Sequence, residues 1–422
     1  MLSKIKKCGI ALGGVVLVVA LVIVVQVFLR PPYKILKTTP IPAGQYDPAV
    51  WGKDYPLEYK SYLKNQETAP SPTGFGGNEK VQKSLKEPEI LVNFKGMPFS
   101  IDYSEERGHV YALEDLKTTK RISQATAGSC MTCKTPQIAD FFKEKGWGYA
   151  KTPLAELLPQ LTHPVSCANC HDAQTMNLRV LNPAFIEAMR DRGIDVKKAS
   201  REEMRSYVCG QCHVEYYFVP ATKQVVFPWG RGMHPGKIYD YYASQPNGFA
   251  MDWQHPDSEA QMLKAQHPEF ETWSSGVHAA SGVSCVDCHM PYRKADGQKY
   301  TSHWVTSPMK HIQESCRTCH TQSAEWLLER VKSTQASVWE MQRLAGQAVA
   351  QAHQTIGKAA KSPGKNQARL NQARELLRKA QWYWDFVAAE NSMGFHNPSL
   401  ALNSLGHSVD FAHQAIAIAN GK

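Results

Sequence analysis

The chain has 422 residues, 11 cysteines, 16 histidines and a formal charge of +10. That length allows one large domain or two to three smaller ones. The basic residues form no single dense cluster, which argues against a nucleic-acid partner in spite of the charge.

At the N-terminus, Lys4, Lys6 and Lys7 precede an apolar run from Cys8 to Val25. The run breaks at Gln26, resumes at Val27-Phe28-Leu29 and ends at Arg30-Pro31-Pro32. It is long for a signal-peptide core, long enough to span a bilayer, and no A-x-A cleavage site follows. Residues 1–30 therefore read as an uncleaved signal-anchor, with a cleaved signal as the alternative. The positive flank stays inside, which places everything after Arg30 outside. Cys8 precedes the apolar run, unlike a lipoprotein cysteine, and is expected to be a membrane-embedded thiol.

Residues 31–78 are rich in proline and glycine, from Pro40, Pro42, Pro48 and Pro56 to Pro70, Pro72 and Gly74-Phe75-Gly76-Gly77. They predict an extended wrapping segment with little regular structure. Residues 79–325 predict short helices over 136–145, 183–192, 200–207 and 258–265, the last because Ser258 precedes Glu259 and Gln261. Strand signals are few, and Val225-Val226-Phe227 is the best of them. Residues 326–422 differ. Leu327, Val331, Val338, Ala348, Val349 and Ala352 recur at helical spacing, and Ser362-Pro363-Gly364 breaks the pattern. Leu370, Ala373, Leu377, Ala380, Trp384 and Val387 continue it to near Gly394, and a third helix starts at Pro398-Ser399 with Leu402, Leu405, Val409 and Ile416. The first two are expected to run to about 30 residues each, against a usual mean of 11–12. They fit either an antiparallel pair closing the core or a dimer interface.

The chemistry lies in the middle segment. Ten cysteines form five CxxC pairs: Cys130/Cys133, Cys167/Cys170, Cys209/Cys212, Cys285/Cys288 and Cys316/Cys319. His171, His213, His289 and His320 directly follow the last four pairs, whereas Lys134 follows the first. CxxCH is the attachment signature of c-type haem, in which two thiols bond the haem edge and the adjacent imidazole reaches iron. Zinc ribbons and redox dithiols also use CxxC but need no histidine directly after it. Five haems would also carry propionates worth about ten negative charges, offsetting the excess of basic residues.

Four haems that only carry electrons need four more axial ligands, and twelve histidines remain outside the motifs. Spacing cannot pair them, because a distal ligand comes from anywhere in the chain. Lys134 must lose its proton to bind iron. With Lys134 on one side and no histidine on the other, that iron keeps an open position for substrate. The plainer alternative is a decayed motif with an exposed lysine.

Further stretches surround these motifs: Arg107-Gly108-His109 followed by Tyr111-Ala112-Leu113, Glu215-Tyr216-Tyr217-Phe218 directly after the third motif, and Lys264-Ala265-Gln266-His267-Pro268 before the fourth. With CxxCK first and four CxxCH after it, the chain over about residues 45–420 resembles the pentahaem, ammonia-forming cytochrome c nitrite reductases. The resemblance implies a mainly α multihaem cytochrome c fold: short helices wrapping five covalently bound haems c, long C-terminal helices and little β. It implies His109, His278, His303 and His396 as distal ligands of the third, fifth, second and fourth haems. It places Tyr216, His267 and Arg121 around the open Lys134 haem, with Arg107 and Lys120 as rivals for the arginine role. It also implies calcium beside that haem, held by Glu215, Gln266 and the backbone carbonyls of Tyr216 and Lys264, an all-oxygen set.

The function implied is six-electron reduction of nitrite to ammonium at the Lys134 haem, fed through four bis-histidine haems. The alternatives are a pure electron carrier, or a reductase acting mainly on hydroxylamine, nitric oxide or sulfite. The expected setting is the periplasmic side of a bacterial cytoplasmic membrane, as a homodimer. A membrane quinol-oxidising multihaem cytochrome c is the expected electron donor.

Overall fold

A computed structural model describes residues 40–123 and 125–422. The predicted anchor, with Cys8, lies outside the described residues. Among the described residues no helix is long and apolar enough to cross a membrane.

The fold is mainly helical, as expected. Eight helices have eight or more described residues: α1 (Pro56–Leu63), α2 (Ile138–Lys145), α3 (Pro183–Asp191), α4 (Arg201–Gly210), α5 (Pro235–Ala243), α6 (Ala324–Ala360), α7 (Gln367–Ala388) and α8 (Pro398–Ala419). Three short antiparallel hairpins accompany them: β1 (Tyr217–Phe218) with β2 (Val225–Val226), β3 (Trp253–Gln254) with β4 (Gln261–Met262), and β5 (Tyr292–Ala295) with β6 (Gln298–Thr301). The predicted strand at Val225 is β2, with Tyr217 opposite Val226 and Phe218 opposite Val225.

Local chemistry starts the short helices. The Asn182 side chain accepts from the Ala184 amide at 2.9 Å, and Pro183 occupies the first turn of α3. Ser200 and Glu203 cap the start of α4 reciprocally. These helices bury Phe185, Met189, Met204 and Val208 against Phe227, Trp229 and Phe270.

The long C-terminal helices form an up-down-up bundle, since α8 packs on both α6 and α7. Helix α6 has 37 residues, α7 and α8 have 22 each, and the expected length of about 30 fails for α7, which ends at Ala388. Val338, Ala345, Val349, Ala352 and Ile356 of α6 meet Leu370, Ala373, Leu377, Ala380 and Trp384 of α7 in one core, joined by Leu405 and Ala412 of α8. Alanines on this seam let the backbones approach closely. The opposite side of α7 buries Trp382 and Phe386 against α5, so α7 is central.

Two sequence expectations need correction. Residues 258–265 do not form a helix. Ser258 is fully buried, and its hydroxyl meets His353 Nδ1 at 2.9 Å and accepts from the Ala260 amide at 3.4 Å, holding a local turn and not a helix start. The amides of Asp257 and Ser258 turn to His255 Nδ1, at 3.2 and 3.3 Å, and Glu259 sits at φ +58°. The chain therefore reverses into the β3–β4 hairpin. Residues 40–78 are also more regular than their composition predicts. They contain a helical turn at Pro48–Trp51 and α1. Ser61 Oγ accepts from the His303 amide at 2.8 Å, and Asn65 bonds both the His303 carbonyl and the Val305 amide. This segment grips the stretch around His303.

Candidate haem and catalytic site

Three of the five CxxC runs lie on an α-helical turn or at the end of a helix, and the first and fifth occupy tighter 3-10 turns. Cys167–Cys170 and Cys285–His289 are single turns, each opened by a reciprocal cap from Ser166 with Asn169 and Ser284 with Asp287. Cys209 closes α4, and Gly128–Cys133 and Cys316–Thr318 are 3-10 turns. A helical turn brings residues three apart to one side, so both thiols of a pair face the same way. All ten described cysteines are free thiols.

The motifs open onto one cavity of about 1540 Å³, beyond the roughly 300–1,000 Å³ of a single-ligand pocket. Both cysteines of each of the first four motifs line it. Cys133 neighbours Cys212, and Cys209 neighbours Cys285, so the third motif sits between the first and the fourth. Cys316 and Cys319 lie outside this lining, and Cys319 is exposed.

Each motif histidine faces a second imidazole. Ring centres lie 6.1 Å apart for His171 and His303, 6.4 Å for His213 and His109, 6.2 Å for His289 and His396, and 6.4 Å for His320 and His278. An iron held between two imidazole nitrogens at about 2 Å each separates the ring centres by about 6 Å. The residues therefore fit haem c. His171, His289 and His303 turn Nδ1 to the carbonyls of Met176, Thr306 and Thr301 at 2.9, 3.0 and 2.9 Å, leaving Nε2 for a metal.

Lys134 follows its motif and ion-pairs with Glu106, a residue the sequence did not single out. Arg121 Nη2 lies 4.0 Å from Glu106, its guanidinium stacks on Phe99 and Nη1 donates to the Asp102 carbonyl at 3.0 Å. Arg121, Lys134, Tyr216 and His267 all line the cavity. The rivals for the arginine role do not. Arg107 turns to Asp115 and Glu114, at 2.8 and 2.9 Å. His267 exposes its ring to the cavity, not to bulk solvent. Burial within the protein, then Lys134, pushes this imidazole well below the ordinary histidine range.

Behind Tyr216, Glu215 is fully buried. Its carboxylate accepts from Tyr242 at 2.8 Å and from the Gln266 amide at 2.5 Å. Among the described residues no lysine or arginine lies within ion-pair reach of Glu215. Lys264 Nζ pairs with Asp385 at 3.0 Å. Burial pushes the Glu215 carboxyl well above its usual range, against both hydrogen bonds. The Gln266 side-chain amide lies 3.2 Å from the Lys264 carbonyl. A fully buried carboxylate with no protein cation to pair it fits a hard divalent ion. Among the described residues no cluster of three or more His, Cys, Asp or Glu offers another metal site.

The family profile described as cytochrome c552 matches residues 47–420. The cytochrome c nitrite reductase subunit NrfA of Nitratidesulfovibrio vulgaris is 38% identical over 425 residues, covering 92% of this chain and 80% of that protein. The chain belongs to the cytochrome c nitrite reductase family. Cytochrome c-552 of Parabacteroides distasonis is likewise 38% identical, over 370 residues, covering 86% of this chain and 74% of that protein. The solved cytochrome c nitrite reductase catalytic subunit of Desulfovibrio desulfuricans superposes with a TM-score of 0.86 at 34% identity. That match covers 90% of this chain and 87% of the other, whose structure is described for its two calcium sites. Nitrite reduction is thus the activity of this family, and haem c its cofactor.

Proposed function

We propose that the chain reduces nitrite to ammonium at the Lys134 motif, with the four CxxCH motifs as the electron relay. The observation that carries this reading is the difference between the surroundings of Lys134 and those of the four motif histidines. The four motif histidines each face a second imidazole, while Lys134 shares its cavity with Arg121, Tyr216 and His267. Lys134 would hold haem c at this motif, and the group when bound would supply the redox-active iron for nitrite reduction. Arg121 supplies positive charge and N–H donors to the nitrite oxygens. His267, kept neutral by burial, accepts a proton only transiently and passes it on to the substrate. Tyr216 donates its hydroxyl from the third side. Calcium held by Glu215, Gln266 and the carbonyls of Tyr216 and Lys264 would neutralise the buried carboxylate and stiffen the segments carrying Tyr216 and His267.

The same reading places the protein on the periplasmic side of the membrane, anchored through residues 1–30. It takes electrons from a membrane quinol-oxidising multihaem cytochrome c. A second copy packs along α6, where Trp326 and Leu344 are 51% and 52% exposed. The direct test is an anaerobic assay of the haem-loaded protein with reduced viologen and nitrite, quantifying ammonium. No ammonium from a protein carrying five haems overturns the reading. His267→Asn should lower turnover by about 10²–10⁴-fold with haem content unchanged, the scale of a lost proton-transfer group.

A further inference from the structure

The imidazoles of the facing pairs differ in what holds the outer nitrogen. Three meet backbone carbonyls, as described above. His396 is different: its Nδ1 lies 2.6 Å from Glu390 Oε1. His213 Nδ1 is 3.9 Å from Glu269 Oε2, beyond hydrogen-bond range. Among the described residues no other paired imidazole has a carboxylate within that range.

Glu390 is 2% exposed and firmly held. Oε2 accepts from Ser392 Oγ at 2.7 Å and from the Gly394 amide at 3.3 Å, and Oε1 also accepts from the Ser392 amide at 3.1 Å. No lysine or arginine among the described residues lies within ion-pair distance of it. A carboxylate can only accept, so the Nδ1 proton belongs to His396 and Nε2 keeps its lone pair on the side of His289. A ligand histidine bonded to a carboxylate is a stronger donor than one bonded to a carbonyl, and the uncompensated charge also acts through a low dielectric. Both effects favour ferric over ferrous iron.

We propose that Glu390 is a positioning residue that lowers the reduction potential of the haem between His289 and His396. This rests on the ligand assignment in the proposed function. The third motif lies between the fourth and the first, with Cys209 neighbouring Cys285 and Cys212 neighbouring Cys133. One electron leaving the fourth site, which goes from ferrous to ferric, reduces the third site from ferric to ferrous. Lowering the donor potential makes that transfer towards Lys134 more downhill and its reverse rarer. Glu390 thereby gives the relay a direction.

The test is a spectropotentiometric titration of the full haem-loaded protein, with electron paramagnetic resonance of the oxidised state. Glu390→Gln keeps the hydrogen-bonding reach and removes the charge. One of the five reduction steps should move to more positive potential, one low-spin ferric signal should change, and the rest should stay. A titration superimposable on the wild type, or an equal shift of all steps, overturns the proposal. His396→Ala separates the two levels. If no haem becomes high-spin, the ligand assignment fails, and the inference with it. If one does and Glu390→Gln moves nothing, only the tuning fails. Should Glu390→Gln not retain five haems, near-infrared magnetic circular dichroism of the wild type decides. One bis-histidine charge-transfer band should lie at shorter wavelength than the others, and coincident bands overturn the proposal.

Discussion

Arg121 and Arg107 lie fourteen positions apart and have opposite jobs. Arg121 points into the cavity and is held by a carbonyl and the face of Phe99. Arg121→Gln should therefore leave the fold intact and lower nitrite turnover by about 10²–10³-fold, the scale of a lost oxyanion donor. Arg107 instead neutralises Asp115, which is 1% exposed. Arg107→Gln should cost about 3 kcal/mol of stability, as breaking a buried pair does, with the nitrite KM unmoved. Thermal unfolding and steady-state kinetics separate the two. His353 makes a third case. Burial, then the His255 ring stacked at 3.8 Å, pushes it to about 3. The folded protein keeps His353 neutral, with Nδ1 at Ser258 and Nε2 at Gln381 Oε1, 2.7 Å away. The unfolded chain takes up a proton near pH 6.5. The stability this ring supplies is full above that pH and is lost as pH falls from about 6.5 towards 3. The stability gap between wild type and His353→Gln should accordingly narrow in acid, as melting at pH 7 and pH 5 will show.

At the scale of elements, the haem turns were legible because covalent attachment needs both thiols and the ligand within one turn. Even their caps, Ser166 with Asn169 and Ser284 with Asp287, stand in the sequence as spacing. Helices α6 to α8 were legible as periodicity. The partners of the motif histidines were not, because a facing imidazole comes from another element, and only the family resemblance pointed to them. Glu106 and Glu390 escaped altogether, since tertiary placement alone gives them their contacts. Residues 258–265 misled because a good capping serine was spent on His353 and a local turn. The turn between α7 and α8 is closely packed at Gly394. Gly394 has φ +74°, and an added Cβ would lie 2.8 Å from Val338 and 2.9 Å from Ala401. Gly394→Ala should cost about 2–4 kcal/mol from strain and overpacking together, and should disturb the absorption of the haem at His396, two residues on.

Over the whole molecule, apolar packing is divided among several clusters set around a cavity lined by eight of the attachment cysteines. Much of what corresponds to a core in other proteins is left to the cofactors. Removing a central haem by Cys209→Ser with Cys212→Ser should therefore cost far more stability than removing the outer one by Cys316→Ser with Cys319→Ser. Haem content per chain and the melting temperature report both quantities, and equal losses would contradict the cavity-centred architecture.

The grip of Ser61 and Asn65 on the His303 stretch bears on the order in which the protein matures. A chain delivered N-terminus first presents Ser61 and Asn65 early, then the thiols at Cys167 and Cys170, and His303 last of all. In the proposed arrangement the thiols of the second motif are available before the facing His303 has emerged, and the residues that grip the His303 stretch are already in place. The same delay separates Cys285 from His396. His109 and His278, by contrast, precede the thiols of the motifs whose histidines they face. Two of the facing histidines thus precede their motifs and two follow them, so in the proposed arrangement His396, the last of the four along the chain, is the final ligand to arrive.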